Sequence, residues 1–205
     1  MNRYLVLNNK QFLNTYIEEI AHLHKKNIHT GFLSSLGRDF LKLLYSSIQK
    51  SDVGILIAEI QDNKVVGFVS GTTNINRIYM VFLKKNFIRV IITLLPHLIS
   101  FPKLKKIGEI LLYPISEKRS GENIPSAELL SMVVDEKWRR KGVGENLYRA
   151  LVEEFKKRGI SKFKIVVGEN LDSAQKFYEK MGAKKVKKME IHKGKKSWIY
   201  IHEIG

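Results

Sequence analysis

The segment AELLSMVV (127–134), followed by RRKGVG (139–144), decides the fold of this 205-residue chain. The first segment is extended and apolar, with one carboxylate, and residues 145–157 then carry apolar side chains at the spacing of a helix face. Two glycines at a strand-to-helix turn leave backbone N–H groups free to face an anion, and the helix dipole adds about half a positive charge. Arg139, Arg140 and Lys141 add three more. The sequence therefore predicts a pyrophosphate site at this turn.

The turn differs from two common nucleotide loops. A P-loop needs Gly-Lys-Ser/Thr after four intervening residues, which this chain lacks here. A dinucleotide-binding loop needs a third glycine near position 147, which is Leu147.

The pattern Arg-x-x-Gly-x-Gly at 139–144 resembles the acyl-CoA pyrophosphate loop of the GNAT N-acetyltransferase superfamily. A second segment, NLDSAQKFYEKMGA (170–183), is similar to the second signature of that family. Its residues Ala174, Phe177-Tyr-Glu-Lys180 and Gly182 match position for position. The segment departs from the family at Leu171, where an Asn is usual, and Asn170 stands one residue early.

The resemblance implies an α/β fold with a central mixed, mostly antiparallel twisted sheet of about seven strands, flanking helices and a helical insert. It implies one acetyltransferase domain over residues 1–205, with the insert at about 74–126. It also implies direct attack of a primary amine on acetyl-CoA, without an acyl-enzyme and without a metal. A homodimer is compatible with the sequence.

The resemblance also assigns roles to residues. Tyr178 would protonate the leaving CoA thiolate; the alternative is a helix aromatic that packs beside Phe177. Glu128, a lone carboxylate on an apolar strand, would take the proton of the acceptor amine if its surroundings raise its pKa. The alternatives are an edge Glu128 that faces water, or a water chain that acts as base. The residues expected to contact acetyl-CoA are Met132, Val133, Val134, Arg139, Arg140, Lys141, Gly142, Val143, Gly144, Glu145, Asn170, Ala174, Phe177 and Tyr178.

Periodicity predicts the other elements. We expect helices over about 10–26 and 32–50, the second interrupted at Gly37, and a hairpin of strands 53–60 and 65–73. After residue 157 we expect a strand at 162–167, a helix at 173–181, and strands at 183–191 and 197–203.

Composition limits the function classes. The net charge of +16 calls for an anionic partner, and acetyl-CoA is one; strands that interleave aromatic and basic residues, as a nucleic-acid platform needs, are absent. The chain has no cysteine, and its six histidines show no metal-binding spacing. The N-terminus lacks a signal-peptide core, and residues 87–101 are too short and too polar to span a bilayer. We therefore expect a cytoplasmic protein without a membrane span, a metal or bound nucleic acid.

The acceptor stays open at this stage. Residues 74–125 contain nine Lys/Arg and three Glu, an excess of six positive charges, which suits either a solvated helical hairpin or a lid over an anionic acceptor. The stretch 32–45 together with this insert is similar to GNAT members of surface-sugar biosynthesis, which implies an amino sugar or another small metabolite. A protein N-terminus or lysine is the alternative acceptor, and a non-catalytic acyl-CoA-binding module is the alternative function.

Overall fold

The computed structural model describes residues 3–6, 13–28, 32–84, 124–192 and 195–205. The strands are β1 (Arg3–Val6), β2 (Gly54–Gln61), β3 (Lys64–Thr72), β4 (Glu128–Val134), β5 (Lys162–Gly168), β6 (Lys184–His192) and β7 (Lys195–Glu203). The helices are α1 (Leu13–Asn27), α2 (Phe32–Ser35), α3 (Arg38–Lys50), α4 (residues 75–84), α5 (Val143–Lys157) and α6 (Asp172–Lys180).

The seven strands form one sheet in the order β1-β2-β3-β4-β5-β7-β6. Every neighbouring pair is antiparallel except β4 and β5, which run parallel. The prediction of a mixed, mostly antiparallel sheet of about seven strands with flanking helices is therefore confirmed.

Local sequence signals explain the breaks between elements. Gly37 has φ of 91°, a conformation that favours glycine, and it separates α2 from α3 as the sequence predicted. Asp62 and Asn63 have φ of 48° and 60°, which suits the two-residue turn that joins β2 to β3. At Gly54 an added Cβ would lie 1.9 Å from the Ile48 carbonyl oxygen, so only glycine lets β2 start this close to the end of α3.

The helices cover both faces of the sheet. On one side, which we call the α5 face, α5 and α6 pack on the apolar side chains of the strands, including Leu151 and Phe155 on Ile165. On the other side, the α1 face, α1 and α3 pack with Leu41 and Tyr45 over Phe68. Each fully buried large apolar side chain contributes about 1.5–3 kcal/mol, so the two layers provide most of the stability.

Part of the insert is described. The helix α4 packs on α3 through Phe82 and Phe40, whose ring centroids lie 5.7 Å apart in a T-shaped contact. The remainder of the insert from residue 85 to 123, including the basic residues Lys103, Lys105 and Lys106, lies outside the described residues.

Candidate functional site

The site begins where β4 and β5 separate. The two strands pair at only two positions, Glu128 with Lys164 and Leu129 with Ile165. Beyond them β4 stays paired with β3 as far as Val134, and β5 stays paired with β7 as far as Gly168. A wedge-shaped gap therefore opens between the C-terminal halves of β4 and β5.

A bulge in β4 sets which backbone groups face this gap. Ser70 pairs with Ser131 and Gly71 with Leu129, so Leu130 has no partner in β3. After the bulge, the Asp135 N–H donates to the Val66 carbonyl, 2.9 Å away. Because N–H groups alternate along a strand, those of Met132 and Val134 point away from β3 and into the gap.

The basic glycine loop lies at the end of the gap. Asp135 starts a short 3₁₀ turn (Glu136–Trp138), and its side chain accepts a hydrogen bond from the Lys137 N–H at 3.1 Å. Gly142 has φ of 83° and is the residue before α5, and Arg140 also has a left-handed φ of 60°. The first N–H groups of α5 have no partner within the helix. The loop thus presents free N–H groups at a positive helix end, with Lys141 beside them.

The end of α1 fixes the start of this loop. The Arg139 guanidinium donates to the Asn27 side-chain oxygen at 2.8 Å and to the Val134 carbonyl at 3.4 Å. The Lys26 ammonium lies 3.2 Å from the Asp135 carboxylate. Burial acts to raise the pKa of Asp135, but the Lys137 N–H and Lys26 outweigh it, and that pKa lies below its ordinary value. Arg139 is therefore a fixed part of the loop.

The second signature packs against the first. A Cβ added to Gly144 would lie 3.6 Å from the Phe177 ring and 3.7 Å from Val134, so the chain leaves little room there. Glu145 forms an ion pair with Lys180 at 2.5 Å, which joins the start of α5 to the end of α6. The hydrogen bond from Lys180 lowers the pKa of Glu145. The structure thus brings both signatures to one end of the gap.

The departure at position 171 has a structural counterpart. The Leu171 N–H donates to the Gly168 carbonyl at 3.0 Å, and the Leu171 side chain is 50% exposed immediately before α6. Asn170 is exposed on the preceding turn, and Ala174 is half-buried against the α5-face core. An apolar side chain therefore occupies the position where the family usually has an amide.

Tyr178 is buried on the α5 face, with 7% of its side chain exposed. Its ring lies 6.0 Å from that of Tyr148 and 5.4 Å from that of Phe177. Burial raises the pKa of the Tyr178 hydroxyl well above its ordinary value, so the phenol is neutral at physiological pH.

Glu128 lies on the opposite face. Its neighbours Ala127 and Leu129 belong to the α5-face core, so by the pleat of the strand Glu128 faces α1 and α3. It is only 7% exposed, so the alternative of an edge carboxylate facing water is wrong. Its carboxylate lies 3.5 Å from the ammonium of Lys164, which is 1% exposed.

Sequence reasoning missed Lys164. In the segment KFKIVV the two lysines alternate with apolar residues, and this pattern does not distinguish the buried Lys164 from Lys162. The lone Glu128 on the neighbouring strand was the available signal, because a buried carboxylate needs a positive or hydrogen-bonding partner.

No helix in the described ranges is long and apolar enough to cross a membrane. Nor does the part of the chain that the structure describes bring together three or more His, Asp or Glu side chains that could hold a metal ion.

Both signatures fall within a region that matches a known family. Residues 105–183, which include the whole loop and the second signature, match the sequence model of the Acetyltransferase (GNAT) family. Among proteins with curated descriptions, none matches the sequence.

Several solved structures share the fold of this chain. A GNAT-family protein from Desulfovibrio desulfuricans superposes with a TM-score of 0.64 at 12% identity, with 100% of each chain covered. The ribosomal-protein-S18-alanine N-acetyltransferase of Escherichia coli gives 0.61 at 15%, covering 100% of this chain and 94% of that one. Arabidopsis thaliana NAA60, solved in complex with acetyl-CoA, gives 0.61 at 12%, covering 100% and 99%. At these identities the likeness concerns the fold.

Proposed function

We propose that the chain is an acetyl-CoA-dependent enzyme of the acetyltransferase (GNAT) family, and that it moves an acetyl group from acetyl-CoA to a primary amine by direct attack. The observation that carries this proposal is the gap between β4 and β5, which ends at the glycine loop. The gap offers one ligand both backbone N–H groups along its wall and an anion site at its end.

The coenzyme pyrophosphate binds at the start of α5. Support comes from the left-handed Gly142, which exposes the first N–H groups of the helix, and from the positive charges of Arg140 and Lys141. Free N–H groups and the helix dipole both favour an anion there. Val143 and Gly144 contribute backbone, because Val143 is buried beneath the loop and Gly144 lies against Phe177.

The pantetheine arm and the acetyl group lie in the gap along Met132, Val133 and Val134. The N–H groups that point into the gap are fixed before the reaction, so one of them stabilises the oxyanion of the tetrahedral intermediate. Such a preorganised donor contributes about 3–4 kcal/mol to catalysis. Side-chain identity matters little here, and the apolar wall keeps the site dry.

Tyr178 protonates the leaving thiolate. Burial holds its hydroxyl in the neutral form, which is the form that donates a proton. An ordinary phenol, with a pKa of about 10, is a weaker acid than an ordinary thiol at about 8.5. Desolvation in the gap also raises the pKa of the thiol, which offsets the raised pKa of Tyr178 and favours protonation of the thiolate as it leaves.

Glu128 receives the proton of the acceptor amine. The Lys164 ammonium, 3.5 Å away, holds the carboxylate in place, and an ionised carboxylate is the form that can accept a proton. Glu128 faces α1 and α3, opposite to the coenzyme helices, so the acceptor enters from the α1 face. The acceptor is a small amine, with an amino sugar as the first candidate.

A turnover screen tests this function. Purified protein is incubated with acetyl-CoA and, in turn, glucosamine, spermidine, free amino acids and a peptide with an N-terminal alanine, and free thiol is measured. We expect acetylation of at least one small amine with release of one CoA per product. Acetylation of the peptide alone would make the protein-acetylating alternative correct. Tight CoA binding with no turnover on any amine would instead identify a non-catalytic binding module.

A further inference from the structure

A chain of buried polar side chains crosses the α1 face and ends at the gap. His24 in α1 is 2% exposed, and its Nδ1 lies 2.5 Å from the Tyr45 hydroxyl oxygen. Tyr45 in α3 is fully buried, and its hydroxyl is hydrogen-bonded to the side chain of Ser131 in β4. Three elements distant in sequence therefore meet through three polar groups.

The surroundings make this arrangement costly unless it has a use. Phe68 stacks on the His24 ring at 6.5 Å and meets the Tyr45 ring edge-on at 5.1 Å. An apolar side chain would fill either position without any polar group to satisfy. The chain places a His24–Tyr45 pair here, and the short hydrogen bond between the two side chains fixes their relative orientation.

The direction of the hydrogen bonds follows from burial. Burial lowers the pKa of His24 to about 4, so the imidazole is neutral and carries one proton. Its Nε2 is buried without a hydrogen-bond partner among the described residues. Because a buried orphan N–H is rarer than a buried orphan acceptor, the proton lies on Nδ1 and is donated to Tyr45. The Tyr45 hydroxyl is in turn hydrogen-bonded to the Ser131 hydroxyl, which restricts the orientation of the serine side chain.

Ser131 lies in β4 at the point where the gap between β4 and β5 opens. It follows the bulge at Leu130 and precedes Met132, and it is half-buried where β4 no longer pairs with β5. By the pleat of β4 it shares the α1 face with Val133, opposite to α5 and α6. Its side chain therefore lies on the side of the sheet from which the acceptor is proposed to enter.

We propose that Ser131 binds the acceptor amine, and that Tyr45 and His24 are positioning residues that orient its hydroxyl oxygen. This inference rests on the proposed function and extends it to the substrate. A neutral primary amine has two N–H groups: one is held by the Ser131 oxygen, and the other becomes the proton removed during attack. A secondary amine has only one N–H and cannot satisfy both, so Ser131 selects primary amines.

The experiment compares Ser131→Ala, Ser131→Thr and the wild type. It uses whichever of glucosamine, spermidine or the alanyl peptide the wild type acetylates fastest, together with the N-methyl derivative of that amine. We expect Ser131→Ala to lower kcat/KM for the primary amine about 10-fold and to leave the acetyl-CoA KM unchanged. The preference for the primary over the N-methyl amine should fall by a similar factor. Ser131→Thr keeps the hydroxyl and should restore kcat/KM to within about 3-fold.

Tyr45→Phe tests the positioning step against a matched control. Tyr148 on the α5 face makes the same kind of bond, with its hydroxyl 3.1 Å from His202 Nδ1. Both Tyr→Phe variants lose a Tyr–His hydrogen bond and should unfold at similarly lower temperatures. Only Tyr45→Phe should lower kcat/KM for the amine, by about 5-fold.

Two outcomes separate the possible failures. If the wild type acetylates the amine and Ser131→Ala keeps both its kcat/KM and its primary-amine preference, the Ser131 proposal is wrong and the proposed function stands. If the wild type acetylates none of the amines in the turnover screen, the proposed function fails and the Ser131 proposal fails with it. Should Tyr45→Phe not fold, the half-buried Ser131 variants decide the matter alone.

Discussion

The two faces of the sheet are built from different material. The α5 face holds a continuous core of aliphatic and aromatic side chains, with Tyr148, Phe163 and Phe155 in ring contact. The α1 face is apolar too, yet it buries an ion pair, Glu128 with Lys164, and the His24–Tyr45 pair. The α5 face also holds a Tyr148–His202 hydrogen bond, but the buried ion pair lies on the α1 face. Burying two charges costs stability, so this pair indicates where side-chain chemistry is needed.

The comparison suggests a division of labour. On the α5 side, the groups assigned to the coenzyme are mostly backbone: a left-handed glycine, free helix N–H groups and strand amides. On the α1 side, the groups assigned to the acceptor are side chains held by buried partners. Variants on the two sides should therefore differ in which substrate they affect, and four predictions test this.

The largest effect is expected from Tyr178→Phe, because the hydroxyl acts only in the transition state. General acid catalysis is worth about 10²- to 10⁴-fold, so kcat should fall roughly 1000-fold with little change in either KM. Steady-state kinetics under conditions where chemistry limits turnover provide the measurement. Tyr200→Phe, which also removes a buried tyrosine hydroxyl, is the control. An unchanged kcat would reduce Tyr178 to a packing residue.

The second effect is a loss of stability at low pH that arises from His24 on the α1 face. The pKa of His24 is about 4 in the folded chain and about 6.5 when unfolded. Below pH 6.5 the unfolded chain binds a proton that the folded chain does not, so stability falls as pH drops from about 6.5 to about 4. The shift of some 2.5 units corresponds to about 3 kcal/mol of unfolding free energy.

Urea unfolding at several pH values between 7 and 4 measures this loss. His24→Gln should be less stable at neutral pH but should show a flatter pH dependence. His22→Gln, an exposed neighbour on the same helix, should follow the wild-type curve. If the curves for wild type and His24→Gln were parallel, His24 would take up its proton at the same pH in the folded and the unfolded chain, and the expected pKa shift would be absent.

The third effect separates the substrates. Gly142→Val forces a β-branched residue into φ of 83° and places a side chain where the pyrophosphate would sit. We expect acetyl-CoA to bind about 100-fold more weakly, equivalent to about 3 kcal/mol. Calorimetry with CoA measures this directly. Gly159→Val, also at positive φ but away from the gap, controls for backbone strain. Unchanged CoA affinity would remove the loop from the coenzyme site.

The smallest effect is expected from Leu171→Asn, which makes the second signature match the family pattern and tests the coenzyme side of the comparison. Leu171→Asn restores the amide that the family usually has before α6, on a side chain already 50% exposed. One added hydrogen bond to pantetheine should tighten CoA binding about 3-fold, with no change in acceptor KM. Asn170→Ala is its partner variant. A loss of affinity in Asn170→Ala with no gain in Leu171→Asn would mean that Asn170 keeps the role from its shifted position.

The division also explains what the sequence could predict. A site built from backbone N–H groups needs glycines and turns at fixed spacing, which the sequence shows directly. The segments 139–144 and 170–183 could therefore be recognised as signatures. The order of strands and helices followed from periodicity and from Gly37 and the turn at Asp62–Asn63. Among the described residues, the boundaries of the helices and strands predicted outside the insert fell within a few residues of those observed.

The polar groups of the α1 face could not be assembled in this way. His24, Tyr45 and Ser131 are separated by more than twenty residues at each step, and only tertiary packing brings them together. The strand predicted at 162–167 did not mark Lys164 as buried, because a strand pattern does not show which face another helix will cover. Glu128 was noticed since it was alone, but its partner was not.

The gap between β4 and β5 is also an edge inside the sheet. Edges of sheets attract extended chains that can complete the ladder of hydrogen bonds, and proteins usually protect them. The pantetheine arm of CoA carries two amide groups on an extended chain, so it can act as a short surrogate strand. Hydrogen exchange of the Met132 and Val134 amides should then be fast in the free protein and slow in the complex, while amides paired to β3 barely change.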